Sequence, residues 1–386
     1  MNPPAPRLES KLPDVGTTIF TVMSQMAQDC GAINLSQGYP DYDGPAMLRE
    51  RLQHYVANGY NQYAPLAGVP ALRRAIAAKV ARCYGRDIDA DAEVTVTPGA
   101  TEAIYCAVTA VVRPGDEVLM FDPVYDCYDP AVRLAGGVPI HLTLAAPDYR
   151  IDWDAVAAAV TPRTRLVMVN SPHNPSGSVL DGDDLVRLRE LAVRHDLLVI
   201  ADEVYEHLVF DGRRHESVLR DEVLAARSFA VFSFGKTYHV TGWKTGYSVA
   251  PPALTTELRR VHQFVAFVAN TPVQHALADY MTAEPAHVDR LPAFYQAKRD
   301  RFNAALAGSR FRLLPSAGTF FQLADYSAIS DAPDTDFVRY LTREVGVAAI
   351  PMSVFYAAPP GERVVRFCFC KEDATLDAAA AKLAVL

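Results

Sequence analysis

The chain has 386 residues, with 37 Lys and Arg against 45 Asp and Glu, a formal charge of −8; this acidic balance argues against a nucleic-acid binder, whose affinity for the phosphate backbone needs clustered cations. Half of the residues are hydrophobic and 21% are charged, enough to bury a large core and to exclude a disordered chain. At roughly 150 residues per domain the length suits two or three domains, with one large and one smaller domain as the default.

Residues 1–13 carry four prolines and no apolar signal-like stretch, and no later run reaches the ~18 apolar residues of a membrane span. The expectation is a soluble, cytoplasmic protein with no membrane partner. From about residue 90 to residue 250 short apolar runs alternate with helix-like segments, the pattern of parallel strands buried on both faces and joined by helical crossovers. The runs are 93–97, 117–121, 138–142, 166–170, 197–201, 230–234 and 247–250, with helical spacing at 100–112, 128–135 and 185–195. Asp181 and Asp183 are candidate N-caps for the last of these helices. Beyond Pro252 the pattern changes to long helices over 254–268 and 293–306, then to a strand, helix and strand series ending at Lys371. This predicts an α/β protein: a large domain with a mostly parallel seven-stranded sheet, plus a smaller α+β domain. The six cysteines, at 30, 83, 106, 127, 368 and 370, include no CxxC pair and read as reduced and packed. Cys368 and Cys370 share a strand face but have no His or Cys partner at ligand spacing, so no metal site is expected.

In an open α/β sheet, ligands bind beyond the carboxyl ends of the strands. The run LLVIA is followed at once by Asp202, then Glu203, Val204 and Tyr205; a buried carboxylate there is costly unless a cation meets it, although a helix cap is the competing reading. The run LVMVN ends in Asn170 and continues as SPHNPSG, a rigid turn that presents Asn174. After Thr97 comes Pro98-Gly99-Ala100-Thr101-Glu102, a glycine turn entering a helix whose free N–H groups and positive end suit a phosphate. The run AVFSF holds Ser233 and leads into Gly235 and Lys236, with Lys244 close behind. Gly235-Lys236-Thr237 mimics the end of a GxxxxGK[ST] nucleotide loop, but Ala230 stands where its first glycine belongs, which rejects that reading. Together these strand ends offer an anion cradle, a carboxylate, an amide, a tyrosine and an amine. Pyridoxal 5′-phosphate (PLP) needs that set: donors for its phosphate, an acid to keep its ring nitrogen protonated, and a lysine for its aldehyde.

The stretches GTTIF, NLSQGYPDYDGP, NQYAPLAG, GATEA, NSPHNPSG, DEVYEHL, SFGKTYHVTGWKTGY and VVRFCF follow one another in this order. With them the chain resembles, over nearly its whole length, the class I/II aminotransferases, PLP enzymes of fold type I, and most of all their methionine and kynurenine (glutamine-utilising) branch. The resemblance implies that Lys236 is the Schiff-base lysine and the base that moves the substrate α-proton, and that Asp202 pairs with the ring nitrogen. It also implies that Asn174 and Tyr205 bond the ring hydroxyl oxygen and that Tyr125 stacks on the ring face. The phosphate falls to the backbone N–H groups of Ala100 and Thr101, the Thr101 hydroxyl, Ser233 and Lys244, where many family members carry arginine. Tyr63 would reach the phosphate of a neighbouring subunit, making the active unit a homodimer with shared active sites. Arg366 would take the substrate α-carboxylate, with Gly38 allowing close approach and Asn170 and Asn174 flanking it. Phe20, Tyr39, Tyr63 and Phe267 are the aromatic candidates for the side-chain pocket.

The same resemblance places a large PLP-binding domain at 44–280 and assigns 1–43 and 281–386 to an N-terminal arm and small C-terminal domain. The implied activity moves an amino group from an amino acid, with methionine, glutamine or an aromatic residue favoured, to a 2-oxo acid by a ping-pong mechanism. The nearest alternative is a PLP-dependent cysteine-S-conjugate β-lyase or kynurenine aminotransferase, which shares the lysine and the acid. A PLP-binding regulatory module is set aside by the acidic charge and by the lack of a winged-helix segment. His173, His207 and His239 read as local hydrogen-bond partners, and Arg73, Arg74 and Lys79 as a solvated helix face.

Overall fold

The structure is a computed structural model and describes residues 9–386. The seven apolar runs become β1 (Val94–Thr97), β2 (Glu117–Asp122), β3 (Val138–Thr143), β4 (Thr164–Asn170), β5 (Leu198–Asp202), β6 (Ser228–Ser233) and β7 (Gly246–Val249). They form one seven-stranded sheet in the order β1-β7-β6-β5-β4-β2-β3. Alternate residues of each strand point to opposite faces, and both faces are covered. Val94, Leu119, Val167, Val199 and Phe232 feed one apolar cluster; Val118, Met120, Leu166, Ile200 and Val231 feed the other. β3 departs from the expected burial, being partly exposed along its whole length: helix Tyr128–Leu134 packs against this edge strand, whereas the opposite edge strand, β1, is buried beneath helices Pro70–Tyr84, Ala100–Val111 and Pro252–Val265.

The direction of β7 matters for the site. It runs antiparallel to both neighbours, so its first residue, Gly246, lies beside the last residues of β1 and β6, Thr97 and Ser233. The parallel pair β4 and β5 likewise brings Asn170 beside Asp202. One end of the sheet therefore collects Thr97, Asn170, Asp202, Ser233 and the segment entering β7.

The helix after β4 begins at Gly182, three residues before the apolar spacing becomes visible. Its cap is Asp181, which accepts from the N–H groups of Asp183 and Asp184 while the Asp184 side chain returns to the Asp181 N–H, so Asp183 belongs to the first turn. Helices Pro252–Val265, Thr271–Ala283 and His287–Leu306 follow the sheet. A second, antiparallel sheet contains β8 (Arg312–Leu313), β9 (Phe321–Asp325), β10 (Ile350–Pro351) and β11 (Val364–Cys368), in the order β10-β11-β9-β8. Helix Ile19–Cys30 leads to a short strand, Ile33–Asn34, that pairs in parallel with Val347–Ala348. Among the described residues no helix is long and apolar enough to cross a membrane.

One charge reading is corrected. Helix Pro70–Tyr84 buries Arg73 and Lys79, and they are not a solvated face. Lys79 pairs with buried Glu206 and lies 4.6 Å from the Phe232 ring centroid, while Arg73 donates to the Gly68 and Ala90 carbonyls. The helix packs against the end of the sheet, and a long aliphatic stem carries each charge to a distant partner.

Candidate active site

At the carboxyl ends of β1, β4, β5 and β6 opens a cavity of about 300 Å³. Phe20, Gly38, Tyr39, Ala100, Thr101, Tyr125, Asn170, Asn174, Asp202, Tyr205, Ser233, Lys236, Lys244 and Arg366 all line it. Tyr63 and Phe267 do not. Tyr63 is 82% exposed and Phe267 44% exposed, and their rings meet edge to face at 5.4 Å on the surface. Both stand on surface segments outside the cavity that this chain forms. His173, His207 and His239 also stay off the lining, His173 sharing a 2.6 Å hydrogen bond with Ser176.

Asp202 closes β5 and is buried. Burial pushes its carboxyl up to about 6, against hydrogen bonds that favour the charged form. Those bonds come from the Tyr128 hydroxyl to Oδ2 at 2.5 Å and from the Val204 N–H to Oδ1 at 3.2 Å. Tyr128 is a site residue that sequence reasoning missed; it opens helix Tyr128–Leu134, three residues beyond Tyr125, and that spacing is the only hint. Asn170 fixes the adjoining turn, donating to the Asp202 carbonyl at 2.8 Å and accepting the Asn174 N–H at 2.7 Å.

The anion cradle is built by close backbone approach. Helix Ala100–Val111 has no side-chain cap, so its first N–H groups are free for a ligand. Gly99 holds φ +81°, and a Cβ at Gly246 would meet the Ala100 nitrogen at 2.7 Å and the Phe232 oxygen at 2.6 Å. Only glycine lets β7 pass this helix start. Lys244, in a left-handed conformation with φ 50°, extends its amine to the Thr101 hydroxyl at 3.3 Å.

Lys236 follows β6 on the short helix Phe234–Thr237. Its amine donates to the Gly38 carbonyl at 3.0 Å and lies 5.4 Å and 5.7 Å from the Phe320 and Tyr205 ring centroids. Burial lowers its pKa, which raises the fraction of free amine.

At the opposite end, Arg366 stands in the middle of β11 and is 1% exposed. It donates to Asn174 Oδ1 at 2.7 Å and to the Ser36 carbonyl at 3.1 Å, and its Nε has no partner. Among the described residues no carboxylate pairs with it, and desolvation pushes it down to about 10. A buried guanidinium held only by neutral oxygens is costly until an anion arrives. The Phe321 ring centroid lies 3.8 Å from the guanidinium carbon, and Phe20 lies beyond at 5.3 Å. A Cβ at Gly38 would meet Phe321 at 2.9 Å, so glycine is required where the chain crosses this ring. Phe321 and Lys371 escaped sequence reasoning; Lys371 donates to the Tyr39 carbonyl at 2.7 Å and pins that segment.

These residues fit PLP. Free helix N–H groups, two hydroxyls and Lys244 suit a phosphate, the buried Asp202 awaits a cation, and Lys236 offers to the same cavity an amine whose pKa burial lowers.

The family description "Aminotransferase class I and II" matches residues 31–383. The methionine aminotransferase of Escherichia coli (strain K12) is 54% identical over 375 residues, 97% of each chain. The probable N-succinyldiaminopimelate aminotransferase DapC of Mycobacterium tuberculosis (strain ATCC 25618 / H37Rv) is 43% identical over 389 residues, 98% of each chain. The crystal structure of YbdL from Escherichia coli, identified as having a methionine aminotransferase function, superposes with a TM-score of 0.97 at 54% identity, covering 98% of this chain and 100% of that one.

Proposed function

The chain belongs to the class I and II aminotransferases, is PLP-dependent and acts on amino acids; within that activity we propose that its donor is methionine, or else glutamine or an aromatic amino acid, and its acceptor a 2-oxo acid. One observation carries the preference for an uncharged side chain. The cations lining the cavity are Lys236, Lys244 and Arg366, and each has a task at the amine, the phosphate or the α-carboxylate. None is left to meet a second carboxylate, while Phe20, Tyr39 and Phe321 offer apolar walls.

When bound, PLP supplies an aldehyde that carries nitrogen and a ring that takes up electrons. Lys236 Nζ would accept the donor's α-proton and hand it on to the cofactor carbon that carries the nitrogen, and would run the same transfer in reverse toward the 2-oxo acid; its lowered pKa favours the free amine that can accept. Asp202, ionised, would hold a proton on the ring nitrogen, and the bonds from the Tyr128 hydroxyl and the Val204 N–H keep its carboxylate aimed. Asn174 and Tyr205 would bond the ring oxygen and Tyr125 would cover a ring face; Ala100, Thr101, Ser233 and Lys244 would hold the phosphate. Arg366 orients the α-carboxylate and fixes which bond faces Lys236, the positioning on which rate depends.

The active unit is proposed to be a homodimer with shared active sites. Tyr63 and Phe267 form an exposed aromatic pair, and Phe264 nearby is 86% exposed, a patch suited to a second copy whose cavity Tyr63 would complete. Residues 44–280 are taken as the large PLP-binding domain and 1–43, of which 1–8 lie outside the described residues, with 281–386 as the arm and small domain, because Ile33–Asn34 pairs with Val347–Ala348. The buried free thiols of Cys106, Cys368 and Cys370 suit a reducing compartment, and the cytoplasm is the proposed location.

A donor and acceptor panel read as kcat/KM tests the reading: methionine, glutamine, phenylalanine, kynurenine and N-succinyl-diaminopimelate against several 2-oxo acids. Methionine should lead. Preference for the succinylated donor would overturn the uncharged-pocket argument, and release of pyruvate and thiol from a cysteine conjugate without amino transfer would favour the β-lyase.

A further inference from the structure

Behind the anion cradle lies a polar cluster that the reaction described above does not use. Glu102 is the third residue of helix Ala100–Val111, and a carboxylate at that position ordinarily turns back toward the free N–H groups. Here it is drawn the other way. Its Oε1 lies 2.8 Å from His262 Nδ1 and accepts the Cys106 thiol at 2.9 Å, while Oε2 has no partner. His262 belongs to helix Pro252–Val265, is 0% exposed, and leaves its Nε2 unpartnered as well. The surroundings are apolar, with Ala103, Ile104, Leu258 and Val261 closing the helix contact. Among the described residues, His262 is the only basic group that pairs with Glu102.

The three donor atoms are close enough to hold a cation. The thiol stays protonated, however, because burial and the Glu102 carboxylate both raise its pKa, and a metal needs the thiolate. Hydrogen bonding, with the carboxylate as common acceptor, accounts for the geometry.

We propose that His262 is a positioning residue for cofactor binding: by holding Glu102 away from the N–H groups of Ala100 and Thr101, it keeps a negative charge off the spot where the PLP phosphate lands. A carboxylate released in the first turn competes with the phosphate for the same donors and repels it at short range in a partly desolvated site. The inference rests on the assignment of that helix start to the phosphate.

The test titrates apoprotein with PLP and, separately, with pyridoxal, which keeps the ring and aldehyde but lacks the phosphate, following cofactor absorbance. His262→Leu should weaken PLP binding on the order of tenfold and leave pyridoxal binding unchanged. His262→Gln, which keeps a donor, and the double variant His262→Leu with Glu102→Gln, which removes the charge, should both restore PLP affinity. Unchanged PLP affinity in His262→Leu, equal losses for the two vitamers, or no rescue would overturn the proposal. Should His262→Leu not fold, Glu102→Gln alone decides: PLP binding as tight as in the parent, or tighter, supports the proposal, and weaker binding defeats it. If the parent protein holds pyridoxal as tightly as PLP, the phosphate assignment itself fails.

Discussion

The two ends of the cavity are assembled in different ways. At the ring and phosphate end, each group sits on or just beyond a strand of one sheet: Asp202 ends β5, Ser233 ends β6, Lys236 follows three residues later, and helix Ala100–Val111 follows β1. Strand register alone brings them together. At the carboxylate end, Arg366 of β11 meets Ser36, 330 positions away, and Asn174, 192 positions away, over the ring of Phe321. That end exists only when the N-terminal segment and the second sheet dock on the first. Damage to the sheet end should therefore appear in the chemical step, and damage to the docked end in substrate affinity.

Lys236→Ala should have the largest effect, lowering kcat by more than about 10⁴-fold and abolishing the absorbance of the lysine-bound cofactor, because the other amine that lines the site, Lys244, is engaged at the Thr101 hydroxyl of the anion cradle. Spectra and turnover check it together. Asp202→Asn comes next: an amide cannot hold the ring nitrogen protonated, so kcat should fall by about 10² to 10⁴-fold with cofactor retained and KM little changed. Arg366→Ala should act at the other end, raising KM for the amino donor by the ~2 to 5 kcal/mol of a buried charge left without its partner. Arg366→Lys should recover little of this, since a point charge does not reproduce the fork. Saturation kinetics decide between the ends. If Arg366→Ala cut kcat at saturating donor as deeply as Asp202→Asn, the division between a chemical end and an affinity end would not hold.

The same division explains what could be read from sequence. Asp202, Asn170, Ser233 and Lys236 are legible because an apolar strand ends beside each of them, and the seven runs locate every strand of the large sheet. Phe321 and Tyr128 are not legible, since what qualifies them is the ring under a guanidinium or the hydroxyl on a carboxylate, contacts made by segments 45 and 74 positions apart. Lys79 failed for the same reason: helical spacing put it with Arg73 and Arg74 on a charged face, whereas its partner Glu206 lies 127 positions on. The exposure of β3 depends on which helices cover an edge strand, since β1 at the other edge is buried, and apolar runs do not encode that cover. Arg366 lies between these cases. Its flanking apolar residues announce a buried strand, but only the resemblance to a family supplied its partner.

Tyr128→Phe carries the smallest expected effect and separates the two ends most finely, because it touches neither donor nor acceptor. Burial raises Asp202 to about 6 and the Tyr128 hydroxyl pulls it down from a still higher value. In the apoprotein this folded value lies above the 3.8 of an ordinary carboxyl. The stability it contributes is therefore fully present below about pH 3.8 and is lost as pH rises through about 6. A cation bound beside Asp202 offsets that loss, so PLP should raise Tm more above pH 6 than below it. Without the hydroxyl, the ionised form loses a hydrogen bond worth roughly 1 to 2 kcal/mol, and the midpoint of this PLP-dependent gain should move to higher pH, by about one unit. The KM for the amino donor should stay within about twofold, since Arg366 and its partners are untouched. Thermal unfolding of apo and PLP-loaded protein across pH measures the midpoint. A midpoint that stays put, or moves to lower pH, would show that some group other than Asp202 governs the cofactor end, and a rise in KM would show that the two ends are mechanically joined.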